Sequence, residues 1–310
     1  MVSRKHLLKQ YLNWFWLRPE TAMLVALRAD AYQKTFKYFD EKSLDVSCGD
    51  GVFSFIACGG EISKEQDMYQ SLDLTKERKG DFDVYDHYDN SYYLKTVKDP
   101  KYFYNYGSDW KKNLINKSKK LNFYKNFILH DNNLTMPLEN EKFKYIYSNA
   151  SYWVDNFESH LYDLVRLLKP GGHLVLEMKT TSIEKYSSFN YAKSIMGKEF
   201  CQIVDAGRRN TWKGLKSSTE LDNIINKIPD VEVITKESLY GDIMAYIWDI
   251  GLRPLFRPIA KLVTNANLDI RNEVKEEWCN TVFNLTAEFV NNYQANEQES
   301  IEWLYVLKKV

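Results

Sequence analysis

The sequence predicts an α/β protein built on a doubly wound sheet of seven strands, and three observations predict it. Short β-prone runs alternate with amphipathic helical runs four times between residues 43 and 178. The first of these, from Ser43 to Val46, feeds a turn with a small residue at every second position, Ser47, Gly49 and Gly51, before a helical pattern at 52–56. Runs over 102–109, 126–130 and 143–148 lead into Asp109, Asp131 and Asn149, polar groups at the strand ends where such sheets bind ligands.

The elements follow in order. Residues 5–39 read as helices: Leu7, Leu8, Tyr11, Leu12 and Phe15 fall at helical spacing, and Pro19 fits the first turn of a second helix. Strand 43–47 precedes a helix that runs from Val52 to near Gly59-Gly60. Residues 61–100 are polar and rich in Tyr and Asp, too long for an ordinary loop, and read as an insertion covering the site. Strand 102–109, helix 110–121, strand 126–130, strand 143–148 and helix 156–168 come next. Lys169-Pro170-Gly171-Gly172 then stops the helix, and a strand starts at 173. Helix 218–228 and strands 231–237 and 303–307 complete the seven strands, with a mostly helical insert at 241–298. With no repeat or linker in view, 1–310 reads as one domain, with a helical cap at 1–40 and the two inserts.

The totals narrow the functions. Lys plus Arg and Asp plus Glu are each 42, and this zero net charge argues against a general nucleic-acid binder. Cys48, Cys58, Cys201 and Cys279 lack metal-ligand spacing and read as reduced thiols, which leads us to expect a cytoplasmic protein with no metal site. Neither a signal peptide nor a stable membrane insertion is expected. A homodimer is compatible with the composition.

The loop Asp45-x-Ser47-x-Gly49-x-Gly51 resembles motif I of the class I S-adenosylmethionine (SAM)-dependent methyltransferases, Asp/Glu-x-Gly-x-Gly-x-Gly. Four further stretches resemble the same family in the same order. They are Gly107-Ser108-Asp109, His130-Asp131-Asn132 with Leu134-Thr135-Met136-Pro137, Tyr147-Ser148-Asn149, and Arg166-Leu167-Leu168-Lys169-Pro170-Gly171-Gly172. The resemblance covers about 40–180 and implies a Rossmann-like methyltransferase sheet and SAM as cofactor, with S-adenosylhomocysteine as its product. It implies that Asp45 and the turn Ser47, Cys48, Gly49 and Gly51 hold the methionine end. Asp109, followed by Trp110, would take the ribose, Asp131 and Asn132 the adenine, and Asn149 would stand beside the methyl. Asp73 competes with Asp109 for the ribose. It is 22 residues past Gly51, but only Asp109 precedes an amphipathic helix and stands 22 residues before Asp131. Two departures stand out: serine at 47, which keeps the turn if its φ is negative, and the long insertion before Asp109. An Asn-Pro-Pro-Tyr motif is missing, which argues against nucleobase or glutamine methylation.

Methyl transfer from a sulfonium is mostly alignment, and a hydroxyl acceptor also needs a base. His87 is the candidate base, inside the insertion and flanked by Tyr85, Asp86 and Tyr88 as substrate contacts. His6, His160 and His173 read as surface or structural. Tyr152 and Trp153 follow Asn149 and read as pocket walls, with Tyr152 beside the chemistry. Trp14 and Arg18 in the N-terminal helices, and Arg208 and Arg209 in a basic cluster, are candidates for an anionic substrate. The expected function is therefore methylation of a small molecule, on a hydroxyl of a carbohydrate or other anionic biosynthetic intermediate. The rivals are an N-methyltransferase of a small amine and a non-catalytic SAM-binding protein.

Overall fold

A computed structural model of the chain describes residues 1–69, 86–89, 91–187, 194–199 and 212–310. Helix α1 (Arg4–Trp14) starts where the Ser3 side chain accepts from the His6 amide, and it buries Leu7, Leu8, Tyr11, Leu12 and Trp14. Helix α2 (Pro19–Gln33) has Pro19 in its first turn and is buried on nearly every side, because it lies between the sheet and other helices.

Strand β1 (Ser43–Val46) is wholly buried and leads into α3 (Val52–Ala57). A two-stranded ribbon, β2 (Glu61–Ile62) with β3 (Thr96–Lys98), closes the base of the insertion. There follow β4 (Tyr104–Asp109), α4 (Lys112–Ser118), β5 (Tyr124–Leu129), β6 (Phe143–Ser148), α5 (Phe157–Leu167) and β7 (Leu168–Lys179). Helix α6 (Ser218–Ile225) opens with a capping box made by Ser217 and Glu220. The chain ends with β8 (Val231–Tyr240), α7 (Asp242–Tyr246), α8 (Phe256–Thr264), α9 (Leu268–Asn292) and β9 (Glu302–Lys309).

The main sheet has the order β5-β4-β1-β6-β7-β9-β8. Strands β5 to β7 run parallel, whereas β9 is antiparallel to both β7 and β8, so the sheet is mixed. From β1 the chain moves through α3 toward β4 on one side, and from β6 through α5 toward β7 on the other. The crevice for a ligand therefore opens at the carboxyl ends of β1 and β6. Several boundaries differ from the sequence reading: β4 begins at Tyr104, not 102, α4 spans only Lys112–Ser118, α6 ends at Ile225, β8 runs on to Tyr240 and β9 spans Glu302–Lys309. β5 begins at Tyr124, not 126, and β7 begins at Leu168, taking in the Pro-Gly-Gly turn with Gly171 at φ +76°.

Aromatic side chains fill the core between α2 and the sheet. Tyr32 stacks on Tyr147 at 3.9 Å, and Phe36, Phe39, Tyr102, Tyr104 and Tyr145 pack around one another. The insert at 241–298 folds back on the N-terminal cap. Trp278 of α9 donates to the Trp16 carbonyl (2.9 Å), and Arg271 and Lys275 reach the fully buried Asp67 at 2.8 and 3.3 Å. His160, read as surface or structural, is buried in α5, and burial pushes its pKa down to about 4. Among the described residues no helix is long and apolar enough to cross a membrane, and no cluster of His, Cys, Asp and Glu is arranged to hold a metal.

Candidate active site

The β1–α3 turn forms the floor of the crevice. Ser47, Gly49 and Gly51 all have positive φ, +57°, +59° and +80°. The expectation of a negative φ at Ser47 is thus corrected: serine occupies a left-handed position that glycine would take without strain. Asn132 donates to the Ser47 hydroxyl at 2.8 Å, tying the turn to the loop after β5. A Cβ placed on Gly49 would meet nothing within 4 Å, so the backbone there faces open space. At Gly51 a Cβ would strike Tyr124 at 2.8 Å, and at Gly107 it would strike Tyr124 at 2.9 Å and the Cys48 sulfur at 3.1 Å.

Asp45 lies beneath this turn, where the Tyr124 hydroxyl donates to it at 2.6 Å. Burial raises its carboxyl to about 7. Asp109 ends β4, and the competing Asp73 lies outside the described residues. Its carboxylate accepts from the Gly49 amide (3.0 Å) and the Lys111 amide (2.8 Å), and burial pushes its pKa up. Trp110 beside it is exposed and carries the Lys111 ammonium over its ring. Asp131 is exposed and accepts from the amide and side chain of Asn133. Arg166 fixes the following loop by donating to the carbonyls of Met136 and Leu138, which explains its place in the downstream motif.

Asn149 is half-buried just past β6, after the buried Ser148, whose hydroxyl pairs with that of Ser151. Tyr152 is buried, whereas Trp153 is largely exposed. Tyr152 and Trp153 both meet Trp212 edge-on, and Trp248 stacks on Trp212 at 6.4 Å. The Lys179 ammonium lies over Tyr152, Trp212 and Trp248 at 5.0, 5.2 and 4.7 Å.

The remaining candidates fall elsewhere. Asp86 pairs with Lys111 at 3.7 Å, and His87 meets Asp89 at 3.3 Å, which brings this segment to the Asp109 end of the crevice. The rings of Tyr88 and Tyr92 lie together there. Trp14 is core, against Asp50 of the β1–α3 turn. Arg18 pairs with the buried Glu20 at 3.0 Å and lies over Phe256. Tyr85, Arg208 and Arg209 lie outside the described residues.

Sequence reasoning missed a buried charge cluster where β7 meets β9. Glu177, Lys179 and Glu302 are almost wholly buried, and Arg28 of α2 reaches both carboxylates. The available signal was the pair of charges at alternate positions in an otherwise apolar strand, Leu174 to Lys179.

Residues 91–176 match a family described as the methyltransferase domain. No curated protein matches the chain by sequence. Among solved structures, a putative sarcosine dimethylglycine methyltransferase from Galdieria sulphuraria is 10% identical, with a TM-score of 0.48 over 92% of this chain and 86% of that one. A possible histamine N-methyltransferase from Thermotoga maritima is 12% identical, with a TM-score of 0.45 over 98% and 100%. A methyltransferase from Thiobacillus denitrificans in complex with S-adenosylhomocysteine is 11% identical, with a TM-score of 0.44 over 91% of each chain. The domain match lies within a seven-stranded mixed sheet consistent with a Rossmann-like methyltransferase fold, and a methyltransferase domain of this kind takes SAM as its cofactor.

Proposed function

We propose that the protein transfers a methyl group from SAM to a hydroxyl of a small, anionic molecule. The observation that supports the small-molecule reading is the aromatic wall after Asn149, where Tyr152 and the exposed Trp153 both meet Trp212. An aromatic wall of this kind suits a compact acceptor.

The cofactor reading is supported by the fit of the residues present. The Gly49 backbone faces open space, and the Asp109 carboxylate keeps lone pairs beyond the two amides it accepts. Asp109 would hold the ribose hydroxyls, Asp131 and Asn132 the adenine, and the loop from Ser47 to Gly51 the methionine end, above Asp45 and Cys48. When bound, SAM supplies a methyl on a sulfonium sulfur. Asn149 orients the reacting groups, and Tyr152 and Trp153 wall the acceptor. His87, with Asp86 and Tyr88, covers the nucleoside end.

Calorimetry with SAM and S-adenosylhomocysteine tests this reading first. Both bind the wild type, and Asp109→Ala weakens binding about 10- to 100-fold through loss of charge-assisted hydrogen bonds. Binding of neither ligand by the wild type would remove the reading. Turnover of amines but not of alcohols would move it to N-methylation, and binding without any turnover would move it to a SAM-binding protein.

A further inference from the structure

We propose that α8 rests on an anionic lipid surface, with Leu255 and Leu262 entering the interface and Lys261 at the headgroups. The inference goes beyond the methyl-transfer reading and does not depend on it.

Charge is the first argument. From Ile250 to Leu268 the sequence has three cations, Arg253, Arg257 and Lys261, and no acid, in a chain whose total charge is zero. The cations recur at every fourth residue, the spacing that keeps positions on one side of a helix. Asp249, which bounds the stretch on one side, is wholly buried, and Asp269 on the other lies in the first turn of α9. The stretch therefore carries net positive charge, the complement of an anionic headgroup layer.

The second argument is the shape of the helix. Apolar and polar sides are more sharply separated in α8 than in α1, α2, α5, α6 or α9. Its inner side belongs to the core: Ala260 and Val263 are buried, and Phe256 and Ile259 pack on the core, Phe256 against Tyr69. On the outward side Leu255 is 42% exposed and Leu262 78%. Seven residues apart, these leucines stand two turns apart on one line, with the exposed Pro258 between them and the exposed Lys261 beside them. Single exposed leucines are ordinary, but an aligned pair edged by positive charge is the pattern of a helix that lies in a membrane interface. With nine residues α8 is too short to span a bilayer, so the contact is peripheral.

Protrusion favours lipid over protein. Leu262 projects from the surface, and a fluid interface accepts such a side chain without a pocket made for it, which a protein partner would have to supply. The location also suits the fold. Arg253 lies over the Trp248 ring at 5.5 Å, Trp248 stacks on Trp212, and Trp212 meets Tyr152 and Trp153. Seating α8 on lipid thus holds the aromatic wall after Asn149 close to the membrane surface.

The test sediments the full chain with vesicles of phosphatidylcholine alone, or of phosphatidylcholine and phosphatidylglycerol in equal parts. Wild type binds the mixed vesicles at least about tenfold more tightly than the neutral ones, and binding weakens as salt rises. Arg257→Gln/Lys261→Gln weakens binding to the mixed vesicles about 30-fold, and Lys261→Gln alone, at an exposed position, about fivefold. Leu255→Ser/Leu262→Ser weakens it about tenfold or more, with an unchanged melting temperature. Failure of wild type to bind the mixed vesicles overturns the inference, as does equal binding to both kinds, or full binding by both double variants. A concentration-dependent dimer that Leu255→Ser/Leu262→Ser abolishes, without vesicle binding, assigns the face to a second copy and also overturns it. Neither SAM nor turnover enters the measurement, so its failure leaves the methyl-transfer reading untouched.

Discussion

Ser47 sets two local terms against each other. Its left-handed backbone costs about 1–2 kcal/mol relative to glycine, while its hydroxyl accepts from Asn132 at 2.8 Å. Ser47→Ala keeps the strain and loses the bond, so it should destabilise by about 1 kcal/mol. Ser47→Gly loses the bond but sheds the strain, and should be more stable than the alanine variant by about 1 kcal/mol. Urea midpoints of the three proteins decide it, and an alanine variant at least as stable as the glycine variant contradicts the account. Gly107→Ala drives a methyl into Tyr124 and Cys48, with an expected loss of about 1–3 kcal/mol in the same assay. At this scale the turn at 47–51 and the acid that ends β4 were legible in the sequence, because they follow from local spacing. Glu177, Arg28 and Glu302 were not, because residues this far apart in sequence meet only when the sheet closes.

At the scale of elements, α9 is held to the rest by charge as well as by packing. Asp67 is fully buried and receives two contacts from Arg271, at 2.8 and 3.0 Å, and Lys275 at 3.3 Å. Lys275 also donates to the carbonyls of Lys64 and Gln66. Asp67→Ala takes the carboxylate away from the buried Lys275 and the half-buried Arg271, and breaking such a cluster costs about 3–5 kcal/mol. Chemical unfolding should register that loss, and a change below about 1 kcal/mol would show the cluster to be hydrated or replaceable. The strands and helices around this contact were legible from hydrophobic period and from stops such as Lys169-Pro170-Gly171-Gly172. The contact itself joins the 61–100 and 241–298 inserts at residues about two hundred positions apart, which no local period relates.

For the whole molecule, burial of carboxyls gives stability an uncommon pH dependence. Asp45 rises from 3.8 to about 7, and Glu177 from 4.5 to about 8. Each binds its proton more tightly folded than unfolded. Its contribution is therefore complete below the unfolded pKa and is lost as pH rises through the folded one. Glu177→Gln mimics the neutral carboxyl at every pH. Its melting temperature should gain on wild type between about pH 5 and about pH 9, by an amount on the order of a few kcal/mol in stability. A constant difference across that range would show that Glu177 does not titrate there.

The strand order carries one more consequence, for how the chain is made. β9 sits between β7 and β8 in the sheet but follows both in sequence, and it brings Glu302 to Arg28 and Lys179. Until β9 is synthesised, β7 has an open edge, β8 has no strand to pair with, and the cations of the early helix and of β7 lack their shared carboxylate. Unpaired edges and unfinished cores of this kind attract other chains. The nascent protein thus passes through a long interval in which five of its seven strands can pair and its last central strand is missing, and that interval is where chaperones would find it.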